Sequence, residues 1–325
     1  MIKPKNTALV KRICEKRKCM GSSARTYAST LRRINRDYSD KGFTADLKKW
    51  LLDESILKKI LKHDSLAVKR NLVNSAAVGL SIISSDEATK LREKYSQALQ
   101  SLNQEQESKR GVLSKKQEKK KDVTWDSVLK LKRLVNRTVT LGQYYKRTKV
   151  VWKDFEKIQQ ALFLHLYTLL PPVRLSYADV RFFKESEYDK NNPPSGNLLL
   201  LLRGGYRLFW AQYKTVKSHG IQEVEVPRKL QRILKKHIKY LRKHWPENRY
   251  LILNSKYQKM SRNSLSRAMV KLFQKHFNRP VSVSDLRRIF LSEKYNRKDL
   301  EDRAETARKM LHSQKTALDY YIFDK

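Results

Sequence analysis

The chain has 325 residues, 72 of them Lys or Arg against 32 Asp or Glu, for a formal net charge of +40. Self-repulsion on that scale works against a solitary compact fold and calls for a polyanionic partner, bound in a steeply salt-dependent way. A 40% hydrophobic content with sixteen Tyr, ten Phe and five Trp excludes a short, aromatic-poor protein that only coats nucleic acid, and is enough for about two domains.

The opening Met1-Ile2-Lys3-Pro4-Lys5 lacks the apolar stretch of a secretory signal, and no apolar run is long enough to span a membrane. Cys14 and Cys19 lie in a basic segment with no second pair of ligands, and read as free thiols in a reducing compartment rather than a zinc site. Ser22-Ser23 can cap a helix with Tyr27, Leu31, Ile34 and Tyr38 on one side. Thr44 opens a second, its apolar side formed by Leu47, Trp50, Leu51, Leu57, Ile60 and Leu61. A third runs from Leu66 through Leu72, Val73 and Ala76 to Leu80, and a fourth from about Asp86 to Leu102. These four predict a small helical domain over 1–102. Residues 103–122 are polar and charged with hardly an apolar anchor, and read as a linker or a solvated helix end.

The apolar pattern resumes at Val123. A helix is expected around Trp125 to Val135, and another from Trp152 to Leu170 that stops at Pro171-Pro172. Three strands follow, Leu198–Leu202, Tyr206–Tyr213 and Glu223–Val226, with turns at Gly204-Gly205 and Ser218-His219-Gly220. Helices return over Arg228–Trp245, Ser261–Phe277, Ser284–Tyr295 and about Asp299–Leu311. The expected fold is mainly α with one small antiparallel β-sheet, the second domain covering 123–325.

Several local contexts carry possible chemistry. Arg174 follows Leu169-Leu170-Pro171-Pro172-Val173, and Lys214 sits in Tyr213-Lys214-Thr215. Arg287 lies in Ser284-Asp285-Leu286-Arg287-Arg288, His312 in Leu311-His312-Ser313, and Thr316 precedes Tyr320-Tyr321. The order Arg, Lys, Arg, His, Tyr resembles the catalytic half of the tyrosine recombinases (phage-type integrases), most like the divergent forms of large DNA viruses and virophages. The resemblance covers roughly residues 123–325. It implies a two-domain DNA clamp, a helical core-binding domain followed by the catalytic domain, with a basic linker.

It also assigns roles that match the residue types. Arg174 and Arg287 would hold the non-bridging phosphate oxygens, since a guanidinium is planar, permanently charged and bidentate. Lys214, or Lys217 three residues on, would protonate the leaving 5′ oxygen, because an ammonium crowded by other cations loses its proton more readily. His312 would hydrogen-bond the phosphate in the transition state. The nucleophile would be Tyr320, if the family's spacing after Thr316 decides, or Tyr321, if the count from His312 does. A 3′-phosphotyrosyl link keeps the bond energy for rejoining, so no ATP, metal or other cofactor is expected. Two positions depart from the family pattern: Ser284 stands where a histidine is common, and Leu311 where a glycine is usual. A hydroxyl can donate to phosphate but does not titrate near neutrality.

Phosphate loops, His-Glu-x-x-His and paired CxxC motifs are absent from the sequence, and the spacing of Asp179, Glu185 and Asp189 gives no reason to assemble a metal site from them. The expected partner is double-stranded DNA, bound by a homotetramer on two sites with a dimer on each. No membrane and no small-molecule substrate is expected. Only Ile322–Lys325 follow the tyrosines, so protomer contacts are expected to come largely from elsewhere. The expected location is intracellular, at DNA, in a host nucleus or cytoplasmic replication site if the gene is viral. The alternatives are a type IB topoisomerase-like enzyme and a non-catalytic DNA-binding protein derived from a recombinase.

Overall fold

A computed structural model describes residues 5–19, 21–108, 122–189, 194–213, 216 and 220–295. The chain divides into two compact units, residues 1–112 and 113–325. Among the described residues, no helix is long and apolar enough to cross a membrane.

The first unit is helical throughout: α1 (Lys5–Arg17), α2 (Gly21–Tyr38), α3 (Lys48–Leu51), α4 (Ser55–Leu61), α5 (Leu66–Leu80) and α6 (Asp86–Ser108). Helix α1 was not expected, because its apolar signal is short. Leu9 and Ile13, one turn apart, are buried in the core beside half-buried Cys14 and Cys19, and much of the rest of the helix is charged. The helix expected from Thr44 is two, broken where Asp53 Oδ1 accepts a hydrogen bond from the Ser55 amide at 2.8 Å. That local bond competes with the helical ladder. Helix α6 runs six residues past Leu102 on a polar anchor. Arg70 of α5 donates twice to Asn103 Oδ1, at 2.9 and 2.6 Å, and once to Gln106 Oε1 at 3.3 Å. Trp50, Leu31, Ile34, Leu72 and Tyr95 fill the centre. A Cβ on Gly79 would meet Leu51 and Leu31 at 2.7 and 2.8 Å, so the close approach of α5 requires glycine there.

The second unit begins with α7 (Trp125–Leu141), whose amide at Ser127 donates to the capping Thr124 hydroxyl, and α8 (Trp152–Leu169), which stops before Pro171 as expected. The strands are β1 (Arg181–Lys184), β2 (Leu198–Leu202), β3 (Gly205–Trp210) and β4 (Gln222–Glu225), in the order β1-β2-β3-β4. The sheet is therefore mixed, not antiparallel: β1 pairs parallel to β2, with Phe182 opposite Leu199. A parallel pair needs a connection of about a dozen residues, which here runs from 185 to 197 and carries no sequence signal of a crossover. The outer edge of β1 is covered, since the Phe182 amide donates to Arg249 O and the Leu251 amide to Val180 O. Three helices follow: α9 (Arg228–His244), α10 (Arg262–Phe277) and α11 (Val283–Lys294). The helix expected near 299–311 lies outside the described residues.

Phe155 of α8 sits fully buried in a ring of aromatics, 4.9 Å from Trp245 between ring centres and stacked on His237 at 6.3 Å. Buried Gln159 bonds both the amide and the carbonyl of Leu253, at 2.8 Å each, tying α8 to the segment after α9. His237 is fully buried, with Nε2 3.0 Å from Leu251 O. Since a carbonyl can only accept, Nε2 carries the proton and Nδ1 accepts from Tyr145. Burial lowers its pKa to about 4. Burial, with Lys132 and Lys229 nearby, does the same for His165.

Both histidines are neutral in the fold but protonate near pH 6.5 when unfolded, so the unfolded chain binds more protons below that value and stability falls with pH. Between pH 7 and pH 5 each is expected to remove about 2 kcal/mol. Urea melts at the two pH values check this. The drop should shrink in His237→Gln, and a midpoint unchanged from pH 7 to 5 would contradict it.

Candidate active site

Helix α8 delivers the chain to the site and then cannot continue, because Pro171 and Pro172 have no amide to donate. Residues 170–174 run extended into a 3-10 turn at Leu175–Asp179. Two buried phenols fix this passage: Tyr167 donates to Arg174 O at 2.9 Å, and Tyr177 to Leu166 O at 3.2 Å. Arg174 begins the 3-10 turn with its side chain exposed and no hydrogen bond or ion pair among the described residues.

Arg287 reaches the same passage from α11. Its Nε donates to Pro172 O at 3.1 Å, two residues before Arg174. The two terminal guanidinium nitrogens have no partner among the described residues. Arg287 also lies close enough to Tyr167 to offset part of the upward push that burial gives that phenol. The two arginines singled out by sequence are thus carried on one junction. Neighbouring Arg288 has its Nε and one terminal nitrogen buried without a hydrogen-bond partner among the described residues.

The start of α11 differs from expectation. Ser282, not Ser284, is the cap: its hydroxyl accepts from the Asp285 amide, and the Asp285 carboxylate accepts from the Ser282 amide at 2.9 Å. Reciprocal capping of this kind orients the first turn. Ser284 is left exposed, one turn before Arg287 and on the same side of the helix.

Lys214, Lys217, His312, Tyr320 and Tyr321 lie outside the described residues, as do Leu311 and Thr316. The chain leading to Lys214 is described, and a residue not singled out by sequence governs it. Asn197 is fully buried just before β2. Its Oδ1 accepts from the amides of Ala211 and Gln212, at 3.1 and 2.8 Å, while Nδ2 donates to Ser176 O and Gln212 O, at 3.3 and 3.2 Å. Both lone pairs and both protons of one amide are used. The chain just past β3, at Ala211 and Gln212, two residues before Lys214, is thereby joined to the 3-10 turn two residues beyond Arg174. Arg262 reinforces this joint, pairing with Asp179 while donating to Gln212 O at 3.1 Å. Tyr213 donates to Gly220 O at 2.6 Å, joining the described residues on either side of Lys214.

The acids add no metal cluster among the described residues. Asp179 is paired with Lys259 and Arg262, and Glu185 accepts from the Arg203 amide. No family model, no curated protein and no solved structure matches the chain.

Asn197→Leu keeps the approximate volume but takes the side-chain partner from the Ala211 and Gln212 amides and from the buried Ser176 carbonyl, while Gln212 O keeps Arg262, an expected loss of about 3 kcal/mol. Urea denaturation measures it, and a loss under about 1 kcal/mol would show that the joint does not carry the strand end.

Proposed function

We propose that this protein is a tyrosine recombinase of the integrase type, which cuts and rejoins DNA through a 3′-phosphotyrosyl link without metal or ATP. The observation that carries the reading is the Arg287 contact with Pro172 O, which brings a second guanidinium to the passage bearing Arg174. Both retain nitrogens free for a ligand. Two such forks near one point suit a dianionic phosphorane better than any neutral ligand.

In this reading the scissile phosphate lies between Arg174 and Arg287. The phenol oxygen of Tyr320 or Tyr321 attacks phosphorus in line, the bond to the 5′ oxygen breaks, and Lys214 supplies the proton that oxygen takes up. His312 and the Ser284 hydroxyl hydrogen-bond the phosphate. Ser284 cannot take up the tyrosine proton at neutral pH as a histidine could, so that proton leaves to another base or to water. Rejoining is the reverse, with a 5′ hydroxyl displacing the phenol. The helical first unit is proposed to bind the same duplex and close on it with the second as a clamp. The working assembly is a homotetramer on two DNA sites, located wherever that DNA is. The charge of +40 supports a DNA partner.

Covalent trapping tests the reading. Nicked, end-labelled duplexes from the element that encodes the protein are mixed with wild type, Tyr320→Phe or Tyr321→Phe, and the products are denatured. Label migrating with protein, and lost in one variant alone, is the expected result and names the nucleophile. Adduct without joining of two duplexes favours a topoisomerase-like enzyme. DNA binding with no adduct would overturn the catalytic reading in favour of a DNA-binding protein.

A further inference from the structure

Helix α9 carries eight Lys and Arg and no acid over seventeen residues. Leu230, Leu234, Ile238 and Leu241 are buried on its inner side. Arg228, Arg232, Lys235, Lys239 and Arg242 recur at alternating steps of four and three, which keeps them in one line. That line borders a cleft of about 1030 Å³ closed on its other side by Lys184 and by the β2–β3 turn at Arg203-Gly204-Gly205. The floor is apolar, from Leu201, Leu202 and Ile238, with Tyr206 beside them.

Charge in the cleft is poorly compensated. Glu225 lines it, and Glu187 pairs with Arg242 at 2.7 Å. Lys184, Arg203, Arg228, Arg232, Lys235 and Lys239 have no ion pair among the described residues. Arg228 also stands in the first helical turn, where the macrodipole disfavours a cation, after Pro227, which gives no side-chain cap. An anion in the cleft would relieve both conditions. The cleft is also remote from the arginine junction. It opens at the Gly204-Gly205 end of β3, whereas Asn197 ties the opposite end to Ser176, and a six-residue strand is about 20 Å long.

We propose that this cleft is a second DNA-binding site, one that takes the phosphate backbone of duplex away from the phosphate held at the arginine pair. From Arg228 to Arg242 the line covers about 21 Å of helix axis, a length over which one strand of B-DNA presents about six phosphates. Evenly spaced cations on a rigid rod fit a polymer of evenly spaced charge. An acidic peptide, with irregular carboxylates on a flexible chain, would meet that line less well. The site goes beyond strand cleavage and needs none of its chemistry, so its test reads binding alone.

The test compares two triple variants of the full chain on one helix, with the same loss of charge. Arg232→Gln/Lys235→Gln/Lys239→Gln neutralises the cleft, and Lys229→Gln/Lys236→Gln/Lys243→Gln neutralises cations outside it. All six positions are exposed, and matched thermal melts verify that both variants fold. Anisotropy of a labelled duplex is followed against salt. Each cation that no longer neutralises a phosphate makes the slope of log K against log salt shallower by about 0.9. The cleft variant is expected to have a slope shallower by about 2 to 3, and the other to stay near wild type. Equal changes in the two variants, or none in the first, would overturn the proposal. Displacement of duplex from the wild-type cleft by polyglutamate as readily as by unlabelled duplex would overturn the choice of DNA as its ligand.

Discussion

Two permanent cations repel one another, and a site that needs both beside one phosphate must hold them before the phosphate arrives. Here neutral groups restrain the guanidinium of Arg287 and the backbone of Arg174. The carbonyl of Pro172 takes one guanidinium edge of Arg287, and the buried phenol of Tyr167 holds the carbonyl of Arg174. Proline is suited to the first task, because the residue that ends α8 also leaves its carbonyl outside the helical ladder. The remaining guanidinium nitrogens have no partner among the described residues and, in the proposed reading, take the phosphate. In the proposed reading, a guanidinium held as Arg287 is would stabilise developing charge without reorganising during the reaction.

The sheet is subordinate to the same passage. Asn197 spends its full hydrogen-bonding capacity joining the end of β3 to the 3-10 turn after Arg174, and Arg262 bonds the same strand end while pairing with Asp179. Lys214 follows two residues after the bonded Gln212. Strand position is thus transmitted to the arginine junction by a buried amide, which neither titrates nor adds to the local cationic field, with the Arg262–Asp179 pair beside it. The far end of the same strands belongs to the basic cleft along α9.

Much of this architecture could be read in the sequence where local rules dominate. Helices α5, α8, α9 and α10 were legible from apolar spacing with Ser261 and Pro171-Pro172 as punctuation, and β2 to β4 from short apolar or alternating runs around Gly204-Gly205. What failed depended on distant partners. Helix α1 buries fully only Leu9 and Ile13, with Val10 and Cys14 beside them, and β1 is four residues whose pairing with β2 is parallel and separated by a long connection. Ser284 looked like the helix start because both it and Ser282 are capping residues, and only the Asp285 carboxylate distinguishes them. Asn197 gave no signal at all. An asparagine ahead of a leucine run reads as a turn, and its partners Ser176, Ala211 and Gln212 lie 14 to 21 residues away. Arg174 and Arg287 were singled out by their contexts, yet their common junction could not be, since 115 residues separate Arg287 from the carbonyl it bonds.

The central claim is that Arg174 and Arg287 act on one phosphate as a unit, and a double-mutant cycle addresses it directly. Single-turnover cleavage of a nicked duplex would be measured for wild type, Arg174→Ala, Arg287→Ala and the double variant. Each single change is expected to slow cleavage by about 10²- to 10³-fold. The double variant should be little slower than the worse single one, because residues that work together lose their effect together. Losses that multiply would mean two independent sites of action, and would contradict the account.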